Sequence, residues 1–347
     1  MTDSQIIAGD RLAEHPAFRA WTRLHPNEAA PARINVLREE RTRTRVYRLS
    51  GLGTSREDIV AKRSYRRHID MERKIYEDIL PKLPVSSLRY YGTTDDDDQK
   101  YGWLFIEYAD GRKYTPLLRT HRIAAGRWLG KLHTSSASHS DEFSGLADRG
   151  PQHYLQRLRS ARHWIERSLG IELEPAETDP RPTIISDFDA LEGRWNQVLG
   201  FCGRLPQTLV HGDFSGRNIR IRAADHGKGL PIFVAFDWAE AGWGVPPVDI
   251  MGKYGHGVSH SGEPDINAYW LVVRKLWKIP SIETIRKFET IGKTFRAISS
   301  IYWLFPSQEA RISGEPNQTK ADWIGNITYW RLYQLWLREC LKEIGRF

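Results

Sequence analysis

Cysteine is almost missing from this chain: Cys202 and Cys340 are the two among 347 residues. They form no C-x-x-C pair, so the fold does not rest on a disulfide framework, and a reducing compartment fits. No apolar run approaches the roughly 20 residues that a helix needs to cross a bilayer. Residues Met1–Asp10 lack the basic segment and following apolar stretch of an export signal. The expectation is a cytoplasmic protein without a membrane partner. Internal repeats are absent too, which argues against a solenoid.

Charge excludes less. The formal net charge is +8 and the pI near 9.4, a balance that permits nucleic-acid binding. The basic residues, however, are interspersed with acidic, polar and apolar ones between Arg38 and Arg48, Arg63 and Arg67, and Arg157 and Arg167. No recognised nucleic-acid motif lies among them, so no specific nucleic-acid partner is expected. One single-signed run, Asp95-Asp96-Asp97-Asp98, reads as a solvated hairpin tip. With 40% hydrophobic and 27% charged residues the chain is globular and long enough for two lobes. Its thirteen tryptophans fall largely at helical spacing, which favours core positions over a stacking platform for ligands.

What is present is concentrated in His211-Gly212-Asp213-Phe214-Ser215-Gly216-Arg217-Asn218, followed by Phe236-Asp237-Trp238. Thr208-Leu209-Val210 enters this segment as an apolar run, and Asn218-Ile219-Arg220-Ile221 leaves it as an alternating strand. A second run, Ile232 to Phe236, stops at Asp237, so a hairpin would bring Asn218 and Asp237 together. Two carboxylates and an amide oxygen at strand ends suit phosphoryl transfer, which needs a placed hydroxyl, an acceptor for its proton and neutralised phosphate charge. Asp213 would take the proton, and Asn218 and Asp237 would supply hard oxygen ligands to Mg²⁺.

At these residues the chain resembles the aminoglycoside phosphotransferase and choline kinase family, relatives of the protein kinases. The resemblance runs from about Ile34 to the end. It implies an α+β, bilobal protein-kinase-like fold, with a small antiparallel-sheet N-lobe and a larger, mainly helical C-lobe. On that pattern residues 1–32 are a leader, 33–110 the ATP-binding lobe and hinge, and 111–347 the catalytic and acceptor-binding lobe. It also implies an ATP-dependent kinase, with GTP as the alternative nucleotide, acting on a hydroxyl of a small molecule such as a sugar, aminocyclitol, antibiotic or metabolic alcohol. Two other readings of the same motifs are a protein kinase and a non-catalytic nucleotide-binding pseudokinase. Ser215 stands where protein kinases usually carry lysine, and none of Lys62, Asp213, Asn218 and Asp237 is lost.

Further positions follow from the family pattern. Ile59-Val60-Ala61-Lys62 resembles the strand that presents a lysine to the nucleotide phosphates, and Glu72, on a helix with Met71, Ile75 and Ile79, is its expected partner. The backbone of Glu107 and Ala109 would read the adenine edge. The phosphate-covering loop between the first two strands contains no glycine, leaving the hydroxyls of Thr42 and Thr44 as candidate phosphate contacts. Gly51-Leu52-Gly53 is read as a hairpin turn. His211 is expected to shape the catalytic loop by packing. Asp249, after Pro246-Pro247, is expected to support that loop from the start of the next helix. The oligomeric state and the identity of the acceptor are left open by the sequence.

Overall fold

The computed structural model describes residues 6–9, 11–39, 44–52, 56–143, 145–172, 179–223, 231–251, 262–279, 281–305 and 320–346. Two compact units are formed, one of residues 1–115 with 213–241, the other of residues 116–212 with 242–347.

The first unit is built on a six-stranded antiparallel sheet of β1 (Ile6–Ile7), β2 (Arg33–Glu39), β3 (Arg45–Leu52), β4 (Glu57–Tyr65), β5 (Tyr90–Asp95) and β6 (Tyr101–Glu107), ordered β1-β2-β3-β4-β6-β5. The short helix α1 (Arg11–Glu14) leads into α2 (Pro16–Leu24), which starts where the sequence puts its signals: Pro16 occupies the first turn and the His15 ring accepts from the Ala17 N–H at 3.2 Å. Ala17, Phe18 and Trp21 turn one face of α2 into the sheet, and Trp21 meets Phe105 edge-on at 5.3 Å. Helix α2 closes the core over Leu49, Ile59 and Ala61.

Strand β4 shows why Lys62 ends where it does. Alternation sends Ile59 and Ala61 to the core under α2, and Lys62 to the other face, where α3 (Arg66–Lys74) supplies Glu72. From α3 the chain continues as a π-helical turn over Ile75–Ile79 that buries Ile75, Tyr76 and Ile79. A second sheet, β11-β10-β7, joins β7 (Arg112–Lys113), β10 (Ile219–Arg222) and β11 (Ile232–Ala235). Ile219 faces Ala235 and Ile221 faces Phe233, which is the hairpin expected between Asn218 and Asp237. Strand β10 also pairs with β7, within the unit that joins residues 213–241 to residues 1–115. Residues 224–230, between β10 and β11, lie outside the described residues.

The second unit carries helices α4 (Arg119–Ala137), α5 (Ser140–Phe143), α6 (Pro151–Ser168), α7 (Arg181–Gly193), α8 (Trp195–Cys202), α9 (Ile266–Val273), α10 (Ile282–Trp303) and α11 (Lys320–Ile344). A small sheet of β8 (Asp148–Arg149), β12 (Gly242–Gly244) and β9 (Thr208–Val210), ordered β8-β12-β9, lies in the same unit. Helix α10 is central: α6, α9 and α11 all pack on it. Helices α10 and α11 are long, whereas α9 has eight residues. The described tryptophans of the cores, among them Trp21, Trp195, Trp238 and Trp330, are buried. Among the described residues no helix is long and apolar enough to cross a membrane.

The run Asp95–Asp98 forms the solvated tip between β5 and β6 that was expected, with Asp95, Asp97 and Asp98 exposed and Asp96 partly buried. Asp96 accepts from both the Arg63 guanidinium and the Trp103 indole at 2.8 Å, and the Arg63 contact holds its carboxyl below the usual range. Arginines elsewhere in the first unit, unseen by a local reading of charge, neutralise this turn.

Candidate active site

The Lys62 ammonium stands between two carboxylates, 2.8 Å from Glu72 Oε2 and 2.5 Å from Asp237 Oδ1. Burial alone would disfavour its charge, but Asp237 and Glu72 outweigh burial and raise its pKa above the ordinary lysine value. Glu72 has no solvent exposure, and burial pushes its carboxyl upward against the pull of Lys62. Its second oxygen accepts from the Trp238 N–H at 3.0 Å. One glutamate thus holds both the lysine and the backbone directly after Asp237.

Asp237 itself is in the left-handed region, at φ 67° and ψ 65°, a conformation uncommon for a residue with a side chain. It stands two residues past β11, at the start of the 3₁₀ turn Trp238–Glu240, and its side chain keeps 31% of its exposure. Backbone strain of this kind persists only where surroundings hold it, here Lys62 on the side chain and Glu72 on the next amide. Beside it, the Asn218 carbonyl accepts from the Phe236 N–H at 3.0 Å. The Asn218 amide nitrogen donates to the Asp213 carbonyl and to Asp213 Oδ2, both at 3.1 Å. Arg217 donates to the same Oδ2 at 2.9 Å. Asp213 is therefore oriented through one oxygen by two donors four and five residues ahead.

Asp249 was expected at the start of a helix and lies on another element. It ends a 3₁₀ turn, Pro246–Asp249, and caps no helix. Fully buried, it accepts from the His211 N–H at 2.7 Å and the Gly212 N–H at 3.0 Å. Gly212 has φ +77°, which explains glycine at the residue before Asp213. On the other side of Asp249 lies His133 Nε2 at 3.3 Å, whose Nδ1 is 3.0 Å from the Tyr269 hydroxyl. His211 is wholly buried, in keeping with a packing role.

At the expected hinge the Glu107 side chain is held from two directions: the Arg89 N–H donates to it at 3.0 Å, and Arg222 forms an ion pair with it at 2.8 Å. Arg222 also pairs with Asp110 at 2.5 Å and donates to the Tyr108 carbonyl at 3.3 Å. Ala109 lies inside this clasped segment and is partly exposed. Sequence reasoning missed Arg222, because its outward position on β10 is that of an ordinary solvated arginine. Thr44 approaches Ser64 with its hydroxyl at 3.3 Å, while Thr42 lies outside the described residues.

Among the described residues no group of three or more histidine, cysteine or acidic side chains forms a metal-binding cluster. Asp237 and Asn218 instead make a sparse, hard-oxygen donor set. With the Asn218 nitrogen engaged by Asp213, its amide oxygen is the atom left for a cation. This fits magnesium, which binds through one or two protein oxygens, waters and phosphates rather than through an all-protein cage.

Residues 14–270 match the model of the phosphotransferase enzyme family, a stretch that includes Lys62, Asp213, Asn218, Asp237 and Asp249. Among solved structures, the GDP and kanamycin complex of APH(2″)-IIIa aligns over 95% of this chain and 98% of its own, at 14% identity and a TM-score of 0.55. The spectinomycin phosphotransferase APH(9)-Ia, in complex with ADP and spectinomycin, aligns over 95% and 98% at 11% identity and a TM-score of 0.53. Choline kinase of Cryptosporidium parvum aligns over 90% and 91% at 13% identity and a TM-score of 0.53. At such identities the likeness is one of fold, the α+β protein-kinase-like fold. Among curated proteins none matches the sequence.

Proposed function

Since the chain belongs to the phosphotransferase enzyme family, we propose that it transfers the γ-phosphate of ATP to a hydroxyl of a small molecule, with Mg²⁺ bound at Asp237 and Asn218. The observation that carries this reading is Lys62 at 2.8 Å from Glu72 and 2.5 Å from Asp237, in the unit where Asn218 also holds Asp213. A pseudokinase would have no need of the whole set. That the solved structures of this fold include complexes with GDP and ADP supports a nucleotide as donor.

Each side chain then has a defined task. Lys62 keeps its proton, since two carboxylates raise its pKa, and presents a permanent cation to phosphate oxygens. Glu72 fixes where that cation stands. Asp213, oriented by Asn218 and Arg217, takes the proton of the acceptor hydroxyl as the hydroxyl oxygen bonds to phosphorus and the bond to the leaving diphosphate breaks. Magnesium, when bound, neutralises charge on the phosphates. The clasp of Arg222 on residues 107–110 would hold the backbone of Glu107 and Ala109 for the nucleotide base.

The test is ADP release from Mg-ATP in the presence of sugars, aminocyclitols, antibiotics and metabolic alcohols. Acceptor-dependent release from the wild-type protein, absent in Asp213→Asn, is expected. Equal release from the two proteins would overturn the assignment of Asp213, and phosphorylation of a protein substrate alone would overturn the small-molecule acceptor.

A further inference from the structure

The short 3₁₀ turn Gly216–Asn218 sets a guanidinium against the carboxylate of Asp213, and the need to orient that carboxylate does not account for it. Asn218 already holds Asp213 twice, at its carbonyl and at Oδ2. Arg217 adds one contact, from Nη2 to the same Oδ2 at 2.9 Å, and its side chain keeps 53% of its exposure. An ion pair so exposed stabilises a fold by at most about 1 kcal/mol. Arginine carries several N–H donors in a planar fork. Among the described residues the Arg217 side chain makes this one hydrogen bond, which leaves most of its fork uncommitted.

The cations that follow this turn on β10, and Lys62 on β4, are engaged elsewhere. Lys62 stands between the carboxylates of Glu72 and Asp237. Arg220 donates to the carbonyls of Arg217 and Ile219, and its guanidinium lies 5.2 Å over the Phe236 ring. Arg222 clasps residues 107–110. Ser215, two residues past Asp213, brings no charge, and its hydroxyl is buried without a hydrogen-bond partner among the described residues. Arg217 is thus the cation of the catalytic loop with donors to spare.

In the proposed reaction the acceptor oxygen lies about 3 Å from Asp213 and about 3–3.5 Å from phosphorus, so the γ-phosphoryl group passes about 6–7 Å from that carboxylate. A flexible guanidinium touching Oδ2 has that group within reach. Transfer spreads negative charge over the equatorial phosphoryl oxygens, and a planar fork of N–H groups binds such oxygens in pairs. We infer that Arg217 is a catalytic residue whose uncommitted N–H groups donate to the transferring phosphoryl group while Nη2 stays on Asp213. One side chain then ties the base to the phosphorus it serves. The acceptor oxygen bonds to phosphorus, the bond to the leaving diphosphate breaks and the proton goes to Asp213, while Arg217 keeps its own protons throughout. The inference rests on the kinase reading given above.

The experiment is calorimetric titration of the full chain with Mg-ADP, with and without aluminium fluoride as a mimic of the transferring phosphoryl group and with no acceptor present. The proteins are the wild type, Arg217→Gln, Arg217→Ala and Arg217→Lys, each shown to be folded by its thermal midpoint. Glutamine keeps an N–H for Asp213 but removes the charge, and lysine keeps the charge. Aluminium fluoride is expected to tighten ADP binding to the wild type. The Gln and Ala variants should bind ADP alone as the wild type does and lose about tenfold or more of that tightening, and the Lys variant should retain part of it. Equal tightening in the wild type and the Gln variant would overturn the assignment and leave the guanidinium to Asp213 or to an anionic acceptor. A wild type that binds ADP without any tightening would overturn it as well. Absence of ADP binding to the wild type would instead remove the kinase reading, and this assignment with it.

Discussion

Lys62 and Asp237, 175 residues apart in the chain, meet at 2.5 Å inside one compact unit. Strand alternation turns Lys62 away from the core, and the end of β11 delivers Asp237 to it in a left-handed conformation. The proposed chemistry depends on this meeting.

Removing the lysine should therefore have two effects. Lys62→Met leaves Glu72 buried beside Asp237 without a cation, a loss of about 3 kcal/mol in unfolding free energy at neutral pH. The deficit should shrink as the pH falls, because Glu72, already pushed upward by burial, then takes a proton. Transfer should drop by about 10²-fold or more. Denaturant melts at two pH values, set beside turnover, check both.

Asp249 should matter as much for folding as for rate. Its carboxylate accepts from two buried backbone N–H groups, so Asp249→Ala is expected to lower stability by about 3 kcal/mol. Asp249→Asn retains one acceptor oxygen and should lose less. Chemical denaturation of the two variants would show the order; equal stability would mean that the clamp on His211 and Gly212 contributes nothing.

Gly292 is the closest approach within the second unit that a single methyl tests. A Cβ there would lie 2.0 Å from the Ile250 carbonyl oxygen and 2.4 Å from that of Pro247, both backbone atoms behind the turn that ends at Asp249. Gly292→Ala must push α10 away from that turn, and a loss of about 2 kcal/mol or more is expected by thermal or denaturant unfolding.

Acid should destabilise the protein through two histidines. Burial lowers His68 from 6.5 to about 4 and His153 from 6.5 to about 3, with Arg67 and Arg157 adding to the effect. A histidine whose folded pKa lies below its unfolded value binds protons first in the unfolded chain. Their contribution is complete above pH 6.5 and is lost as the pH falls toward 4 and then 3. Replacing His68 by Gln should flatten the upper part of this decline in a series of melts between pH 7 and pH 4.

Most of the site was legible because its signals are local. Gly212, Asp213 and Asn218 lie within seven residues, and the two runs that precede Asp237 announce the hairpin formed by β10 and β11. Lys62 and Glu72 were legible through the family pattern, on a strand and a helix that the structure contains. Other features depend on partners far along the chain. Arg222 clasps residues 107–110, Arg63 neutralises Asp96, and Trp21 completes the sheet core from a segment that looks polar when read alone. Neither spacing nor composition carries such pairings.

The most direct test of the central claim is to follow label from [γ-³²P]ATP into a hydroxylated acceptor while measuring ATP affinity, for the wild type and for Asp213→Asn in the presence of Mg²⁺. The account predicts that the variant binds ATP as the wild type does and transfers about 10²–10⁴-fold more slowly. Undiminished transfer by the variant would contradict it.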